Sequence, residues 1–285
     1  MMMYERVLLF LCLVASCFSS PVQSTADDNV LARAEKAYQG IEWKPAFDEC
    51  GSSRFNTLVE ATRMAIQLTK PRRHPESTPG WNRFFLSDKH IKKREGWVAQ
   101  AGGSHLAKVS KIMESVHQYP SKAKQGKDKF KIAYRCRDTL AICKSVPGAA
   151  AVTAQPSRGQ SEKWEVYLCD RFWGTGHLKD KRHKNSPQDL ETLRSFEHVI
   201  VHELLHCDVV TGSNPKIIDK KAVLPSWPTE VDVYGASRCS EYAWLYADKQ
   251  KANFMVKENA DNYAWFYTNN WFNDEWKWHD DGERR

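Results

Sequence analysis

Two histidines one helical turn apart, with a glutamate beside the first, are the residues of this sequence best suited to metal chemistry. His202, Glu203 and His206 form a His-Glu-x-x-His pattern. Residues i and i+4 of a helix share one face, so both imidazoles can bind a single Zn²⁺ ion. The Glu203 carboxylate can then take a proton from the water that zinc activates and pass it to a leaving amine. The pattern therefore indicates metal-assisted hydrolysis of a peptide bond.

The residues around the pattern favour a helix. Ser186 before Pro187 is a good helix start, and acidic residues follow in the first turn. A helix can run from there to about Val209, and Gly212 is available to end it. The apolar run 199–201 directly precedes the first histidine. This context predicts a helix that carries the metal ligands, over a chance pair of histidines.

Other elements follow from the spacing of apolar residues. Helical periodicity predicts helices over 55–70, 104–116, 236–250 and 260–272. Alternation predicts strands over 130–134 and 164–168, with a short strand over 149–153 between them. The sequence therefore predicts an α+β domain with a small sheet.

The chain is expected to divide into four segments. Residues 1–24 have the short apolar run and small-residue end of a signal peptide, 25–45 are expected to be a loose leader, 46–272 the folded domain and 273–285 a polar tail. No later run is long and apolar enough to span a membrane. The protein is thus expected to be secreted, extracellular and monomeric.

Charge and cysteine content bound the function further. The net charge of +7 comes partly from basic runs at 122–137 and 179–184, which belong to no nucleic-acid-binding motif and favour a solvated basic face. Six cysteines follow the signal peptide, and an even count in an oxidising compartment favours three disulfides. Spacing alone does not choose among the possible pairings. We expect neither a nucleic acid nor a membrane partner.

A catalytic zinc needs a third protein ligand and an open fourth position. A metzincin would continue with Gly at position 209 and His at 212, whereas this chain has Val209 and Gly212, which excludes that class. A gluzincin would use a downstream glutamate, for which Glu241 is the natural candidate. An aspartate is the third possibility.

Three segments carry a resemblance to the aspzincins, the deuterolysin-like fungal metallopeptidases. The segment 229–235, Thr-Glu-Val-Asp-Val-Tyr-Gly, resembles the Thr-x-Asp-x-x-Tyr-Gly signature of that family. The segment 259–266 resembles its Asn-Ala-Asp-x-x-x-Tyr-Phe helix, and 134–169 resembles its cysteine-bearing strand region. Together the similarity spans about 50–272.

The resemblance implies roles for single residues. Asp232 would be the third zinc ligand and Tyr234 would help to hold the oxyanion. Only one residue separates Asp232 from Tyr234, where the family has two, so Glu230, Glu241 and Asp208 stay open as alternatives.

Two further implications concern the substrate and the disulfides. In the peptidyl-Lys branch of the family, the aspartate of Asn-Ala-Asp and an acid three residues later line the pocket for a substrate lysine. Asp261 matches the first, making it a candidate substrate-binding residue, whereas Ala264 replaces the second. The family pattern implies the bridges Cys50–Cys136 and Cys143–Cys169, which leaves Cys207 and Cys239 to join each other.

These observations lead to one prediction with two alternatives. The chain is predicted to be an α+β, zincin-like, secreted zinc metalloendopeptidase with one Zn²⁺, in which Glu203 activates water against a polypeptide substrate. The first alternative is a secreted zinc-binding protein of the same fold without useful catalysis. The second is a gluzincin that uses Glu241.

Overall fold

A computed structural model describes residues 24–72, 74–85, 98–121, 132–156, 163–181, 190–212, 216–248 and 255–276. These residues form a mixed helical and sheet structure, which confirms the predicted α+β class at that level. The strands are β1 (Ile41–Glu42), β2 (Ile132–Arg135), β3 (Ala151–Ala154), β4 (Trp164–Leu168), β5 (Lys221–Leu224) and β6 (Trp227–Asp232). The helices are α1 (Ser24–Ala37), α2 (Lys44–Cys50), α3 (Ser52–Leu68), α4 (Pro79–Phe84), α5 (Val98–Gln118), α6 (Ile142–Ser145), α7 (Asp170–Trp173), α8 (Phe196–His206), α9 (Asp208–Thr211), α10 (Ala236–Asp248) and α11 (Ala260–Trp276).

The main sheet has the strand order β1-β2-β4-β3. Strands β1, β2 and β4 are parallel, and β3 runs antiparallel to β4 at the edge. The three strands predicted from alternation are confirmed, with β1 added at the far edge. Strands β5 and β6 form a separate antiparallel hairpin. The edge strand β3 is the part of the sheet that faces the candidate site.

The helix α8 carries the His-Glu-x-x-His pattern and lies at the centre of the fold. It packs against α3, α11 and β3. All of its residues are buried except His206, which is partly exposed. A helix covered on nearly every side can be apolar all round, which explains the run 199–201. The packing fixes the position of the helix that carries the site.

The start of α8 differs from the prediction. Ser195 has an extended backbone, and its side-chain oxygen accepts a hydrogen bond from His198 N at 3.2 Å, so the helix begins at Phe196 rather than near Pro187. A separate 3-10 turn, Leu190–Leu193, precedes it. The helix ends at His206, and Gly212 (φ 79°) ends the short α9 instead.

The expected loose leader also differs from the structure. Residues 24–37 form α1, and residues 41–42 form β1. Trp43 is fully buried and contacts Tyr134 and Phe55 through its ring. An aromatic side chain of this size contributes substantially to a core. Part of the predicted leader therefore belongs to the folded unit.

Two of the three expected disulfides are present. Cys50 is joined to Cys136 and Cys143 to Cys169, as the family pattern implied. The expected bridge between Cys207 and Cys239 is wrong, because both cysteines are free and buried. Disulfides are compatible with an extracellular protein. The predicted signal peptide lies almost wholly outside the described residues, as does most of the predicted polar tail. In the described ranges, we find no helix whose length and apolar character would allow it to cross a membrane.

Candidate metal centre

Two histidines and one aspartate converge at the C-terminal end of α8. The Nε2 atoms of His202 and His206 lie 3.1 Å apart. An Oδ1 atom of Asp219 lies 3.2 Å from His202 Nε2 and 3.3 Å from His206 Nε2. Across the described ranges, this is the group of histidine, cysteine and acidic side chains that could hold a metal ion.

The spacing of the three ligand atoms allows all of them to bind one small metal ion. Two ligands bound at about 2.05 Å to a tetrahedral ion lie about 3.3 Å apart, whereas octahedral neighbours at that bond length would lie about 2.9 Å apart. The observed separations of 3.1, 3.2 and 3.3 Å lie within the range between these two values. Two imidazoles and one carboxylate are also a donor set that zinc accepts.

The outer nitrogen of each imidazole has its own partner. His202 Nδ1 lies 3.1 Å from Asp261 Oδ1, and His206 Nδ1 lies 3.2 Å from the carbonyl oxygen of Ile217. Both partners accept hydrogen bonds, so Nδ1 is the donor in each ring, and in the neutral imidazole Nε2 has the free lone pair. This is the arrangement that orients histidines toward a metal.

Charge at the site is coupled. Burial by itself lowers the pKa of His202, but the carboxylates of Asp219 and Asp261 raise it well above its usual value. Burial raises the pKa of Asp219, but His202 and His206 outweigh it and hold that pKa well below its usual range. The raised pKa of His202 favours a proton on this imidazole where no cation is bound.

Glu203 lies beside the ligands, and a residue of the sheet hydrogen-bonds to its carboxylate. The hydroxyl of Thr153 on β3 donates to Glu203 Oε2 at 2.6 Å and contacts its carbonyl oxygen at 3.2 Å. The side chain of Glu203 is almost fully buried and lines the cavities on both sides of the centre. Thr153 belongs to the candidate site but was not indicated by the sequence, because only the fold brings β3 to α8.

Tyr234 lies beside the two histidines of the candidate metal centre. Its ring stacks on the His202 ring, with centroids 5.5 Å apart and an interplanar angle of 27°. Burial and the neighbouring Asp219 carboxylate raise the pKa of Tyr234 far above its usual value. The phenol therefore stays protonated, and its hydroxyl donates a hydrogen bond to the Asp219 carboxylate.

The predicted third ligand, Asp232, requires correction. The structure places Asp219, not Asp232, against the two imidazoles. Asp232 ends β6, and its exposed carboxylate lies 3.4 Å from Lys221 Nζ. The alternatives Glu230, Glu241 and Asp208 do not belong to the group either.

The hairpin β5–β6 explains why the sequence register points to Asp232 while the structure brings Asp219 to the two imidazoles. Its terminal residues Lys221 and Asp232 are paired, and Val233 N donates to Lys220 O at 2.8 Å. The hairpin thus leaves and rejoins the chain at one point. With 221–232 omitted, the sequence reads Asp219-Lys220-Val233-Tyr234-Gly, with two residues between the aspartate and the tyrosine. The turn at Pro225-Ser226 is the sequence signal that could have revealed this insertion.

Asn259 fastens both ends of the hairpin to the rest of the fold. Its Oδ1 accepts a hydrogen bond from Lys220 N at 3.0 Å, and its Nδ2 donates to Val233 O at 3.1 Å. Ile218 is held by the same segment, since its N donates to Glu258 O at 2.8 Å. The loop with Asp219 is therefore positioned independently of the hairpin.

Asp261, the predicted substrate-binding residue, is buried and engaged. Besides His202, its carboxylate accepts from Gly235 N at 2.6 Å and from Trp265 Nε1 at 2.9 Å. Its pKa would be raised by burial, but hydrogen bonds from His198 and His202 hold it well below the usual range. The geometry makes Asp261 a support for the orientation of His202, and its role in binding a substrate lysine stays a prediction.

A cleft crosses the site along β3. One cavity of about 290 Å³ lies on the His202 side and one of about 250 Å³ on the His206 side, with Glu203 and Tyr234 lining both. In the described part of the chain, no strand pairs with the outer edge of β3. An extended peptide could add to such an edge and pass across the metal centre.

Comparison of this chain with models of known protein families finds no match, and comparison with curated proteins finds none. The family resemblance stays a prediction.

Proposed function

We propose that this protein is a secreted zinc metalloendopeptidase of the aspzincin type, with a zincin-like fold. The observation that carries the proposal is the convergence of His202, His206 and Asp219 beside the separately held carboxylate of Glu203. Metal capture alone needs no such carboxylate. The register Asp-x-x-Tyr-Gly that reappears when the hairpin is omitted supports the family assignment.

In the proposed reaction, the metal, Glu203 and Tyr234 each have a separate role. Zinc would supply a Lewis acid and an activated water. Glu203 accepts a proton from the water as its oxygen forms a bond to the scissile carbonyl carbon. Glu203 then delivers this proton to the amine nitrogen as the carbon–nitrogen bond breaks. Tyr234 donates to the developing oxyanion, and donors of this kind stabilise the transition state.

Zinc content and peptidase activity test the proposal. In the Asp219→Ala variant, zinc content should fall at least ~10-fold and activity should follow, because one of three ligands is lost. In the matched Asp232→Ala variant both should stay near wild type. In the Glu203→Gln variant zinc should be retained while kcat falls about 10²–10⁴-fold, since the proton acceptor is gone.

Two outcomes would contradict this assignment. If Asp232→Ala loses zinc and Asp219→Ala keeps it, the ligand suggested by sequence similarity is the correct one. If the zinc-loaded wild type cleaves no protein or peptide, the chain is a zinc-binding protein without catalysis.

A further inference from the structure

The cavity on the His202 side of the centre has more cationic side chains among its lining residues than the one on the other side. Its lining includes Arg171 and Arg194, together with the acidic residues Glu203, Asp232 and Asp261. The opposite cavity has Lys216 as its cation. Because one wall of the His202-side cavity is formed by residues of α8, a substrate side chain in this cavity would lie next to the scissile bond.

The acidic groups of the His202-side cavity already have partners. Asp261 accepts hydrogen bonds from a ring nitrogen of His202, from Gly235 N and from Trp265 Nε1. Asp232 lies beside Lys221 at the exposed rim, and Glu203 accepts a hydrogen bond from the Thr153 hydroxyl. The position expected to bear a second acid is Ala264, which is fully buried. A substrate lysine would therefore find no free carboxylate deep in this cavity.

The arginines are far less engaged. Arg194 Nη2 lies 3.9 Å from Asp261 Oδ2, at the outer limit of an ion pair, and the Arg194 side chain is 32% exposed. Arg171 Nη1 donates to the neutral carbonyl of Gly148 at 2.7 Å. Each guanidinium has five N–H donors, so most of them face the cavity or solvent without a partner among the described residues.

We propose that this cavity selects an acidic substrate side chain, glutamate or aspartate, next to the scissile bond. Arg194 is the principal specificity residue and Arg171 assists it. A guanidinium binds a carboxylate through two parallel hydrogen bonds, which combines charge with geometric selection. This inference rests on the proposed peptidase function and replaces the lysine preference suggested by family resemblance.

A mixed peptide library tests the preference in two ways. Mass spectrometry of the products of the zinc-loaded wild type should show Glu and Asp enriched at least ~10-fold over Gln and Asn at one position flanking the cleaved bond. The same library passed over immobilised, zinc-loaded Glu203→Gln protein should retain peptides rich in Glu and Asp. In the Arg194→Gln variant, the enrichment of Glu and Asp should fall to about 1-fold in both experiments, while the zinc content stays unchanged.

Control variants separate the local role of Arg194 from net charge. Arg63→Gln removes one positive charge from α3, where Arg63 pairs with Glu60, and should leave the preference intact. Arg194→Lys should keep part of it, and Arg194→Glu should shift it toward Lys and Arg.

The possible failures are distinct. Cleavage that ignores acidic residues, or favours lysine, overturns the inference but leaves the proposed function standing. Absence of all cleavage overturns the proposed function, and the retention experiment then decides the binding preference by itself. Retention that does not depend on Arg194 overturns the inference.

Discussion

Single hydrogen bonds set the geometry of this centre. Each imidazole is oriented by a separate acceptor, Asp261 for His202 and the Ile217 carbonyl for His206. The Glu203 carboxylate is held by the Thr153 hydroxyl. Catalytic groups must be placed within a fraction of an ångström of their productive position, so these supporting contacts should have measurable effects on rate.

Thr153→Val should lower kcat about 10-fold with little change in KM or zinc content. The substitution keeps the shape of the side chain but removes the donor to Glu203 Oε2, so the base loses its fixed position while the ligands are untouched. A tenfold loss corresponds to about 1.4 kcal/mol in the activation barrier. Steady-state kinetics with metal analysis checks this.

Thr153→Ser is the matched control, because it restores the hydroxyl, and its kcat should return close to wild type. Equal activity of the Val and Ser variants would show that Thr153 does not position the base.

At the level of elements, the centre combines a buried helix with a loop interrupted by a hairpin. The helix α8 holds two candidate ligands and Glu203, the proposed base, at fixed spacing. Asp219, the third candidate ligand, lies just before β5, and Tyr234 lies just after β6. The hairpin itself is well exposed, with Val223 53% and Trp227 39% accessible. Its contribution to the metal centre should therefore be small.

Replacement of Ala222–Val231 by Asn-Gly should leave zinc binding intact. This change joins the paired residues Lys221 and Asp232 by a two-residue turn of the type that suits a hairpin. Asn259 still holds both flanks of the hairpin. Zinc content should remain near wild type, whereas the thermal midpoint of unfolding should fall because the change removes the buried side chain of Leu224.

Asn259→Ala in the full-length chain provides the contrast. It removes the hydrogen bonds from the Asn259 side chain to Lys220 N and Val233 O. Zinc affinity and the unfolding midpoint should both fall, because these backbone groups lose their partners. If the shortened hairpin loses zinc and Asn259→Ala does not, the hairpin is what positions Asp219.

At the scale of the whole molecule, the reactivity of Cys207 and Cys239 distinguishes two free thiols from the expected third disulfide. Cys207 Sγ lies 3.6 Å from Glu203 O, and Cys239 Sγ lies 3.5 Å from Val233 O, so each thiol points to a different backbone carbonyl. Burial raises the pKa of both thiols well above the usual value, which makes them unreactive in the folded state.

Alkylation without a reductant should reflect this arrangement. The mature protein should take up no alkyl group when folded and two when denatured, with the two assigned by peptide mapping to Cys207 and Cys239. Prior reduction should expose Cys50, Cys136, Cys143 and Cys169 as well. Absence of labelling in the unreduced, denatured protein would show that Cys207 and Cys239 are joined after all.

The sequence by itself determined the features that depend on local spacing. His202, Glu203 and His206 are close together because 3.6 residues make one turn of a helix. The strands β2, β3 and β4 follow from alternation, and the helices α3, α5, α10 and α11 from apolar periodicity. The helix start at Ser195 was missed because the proline signal at 187 is an equally good start in sequence terms.

Only the tertiary structure decided the partners that are distant in the chain. Asp219 rather than Asp232 completes the candidate metal group. The hairpin inserts residues 221–232 between Asp219 and Tyr234, so the spacing along the sequence does not reveal that the two are close in space. Thr153 reaches Glu203 because β3 is an edge strand packed on α8. Asp261, which the sequence suggested as a substrate contact, supports His202 in the structure because folding buries its carboxylate among hydrogen-bond donors. Such contacts join residues that are far apart in the chain, and spacing patterns in a sequence relate only residues that are close together in it.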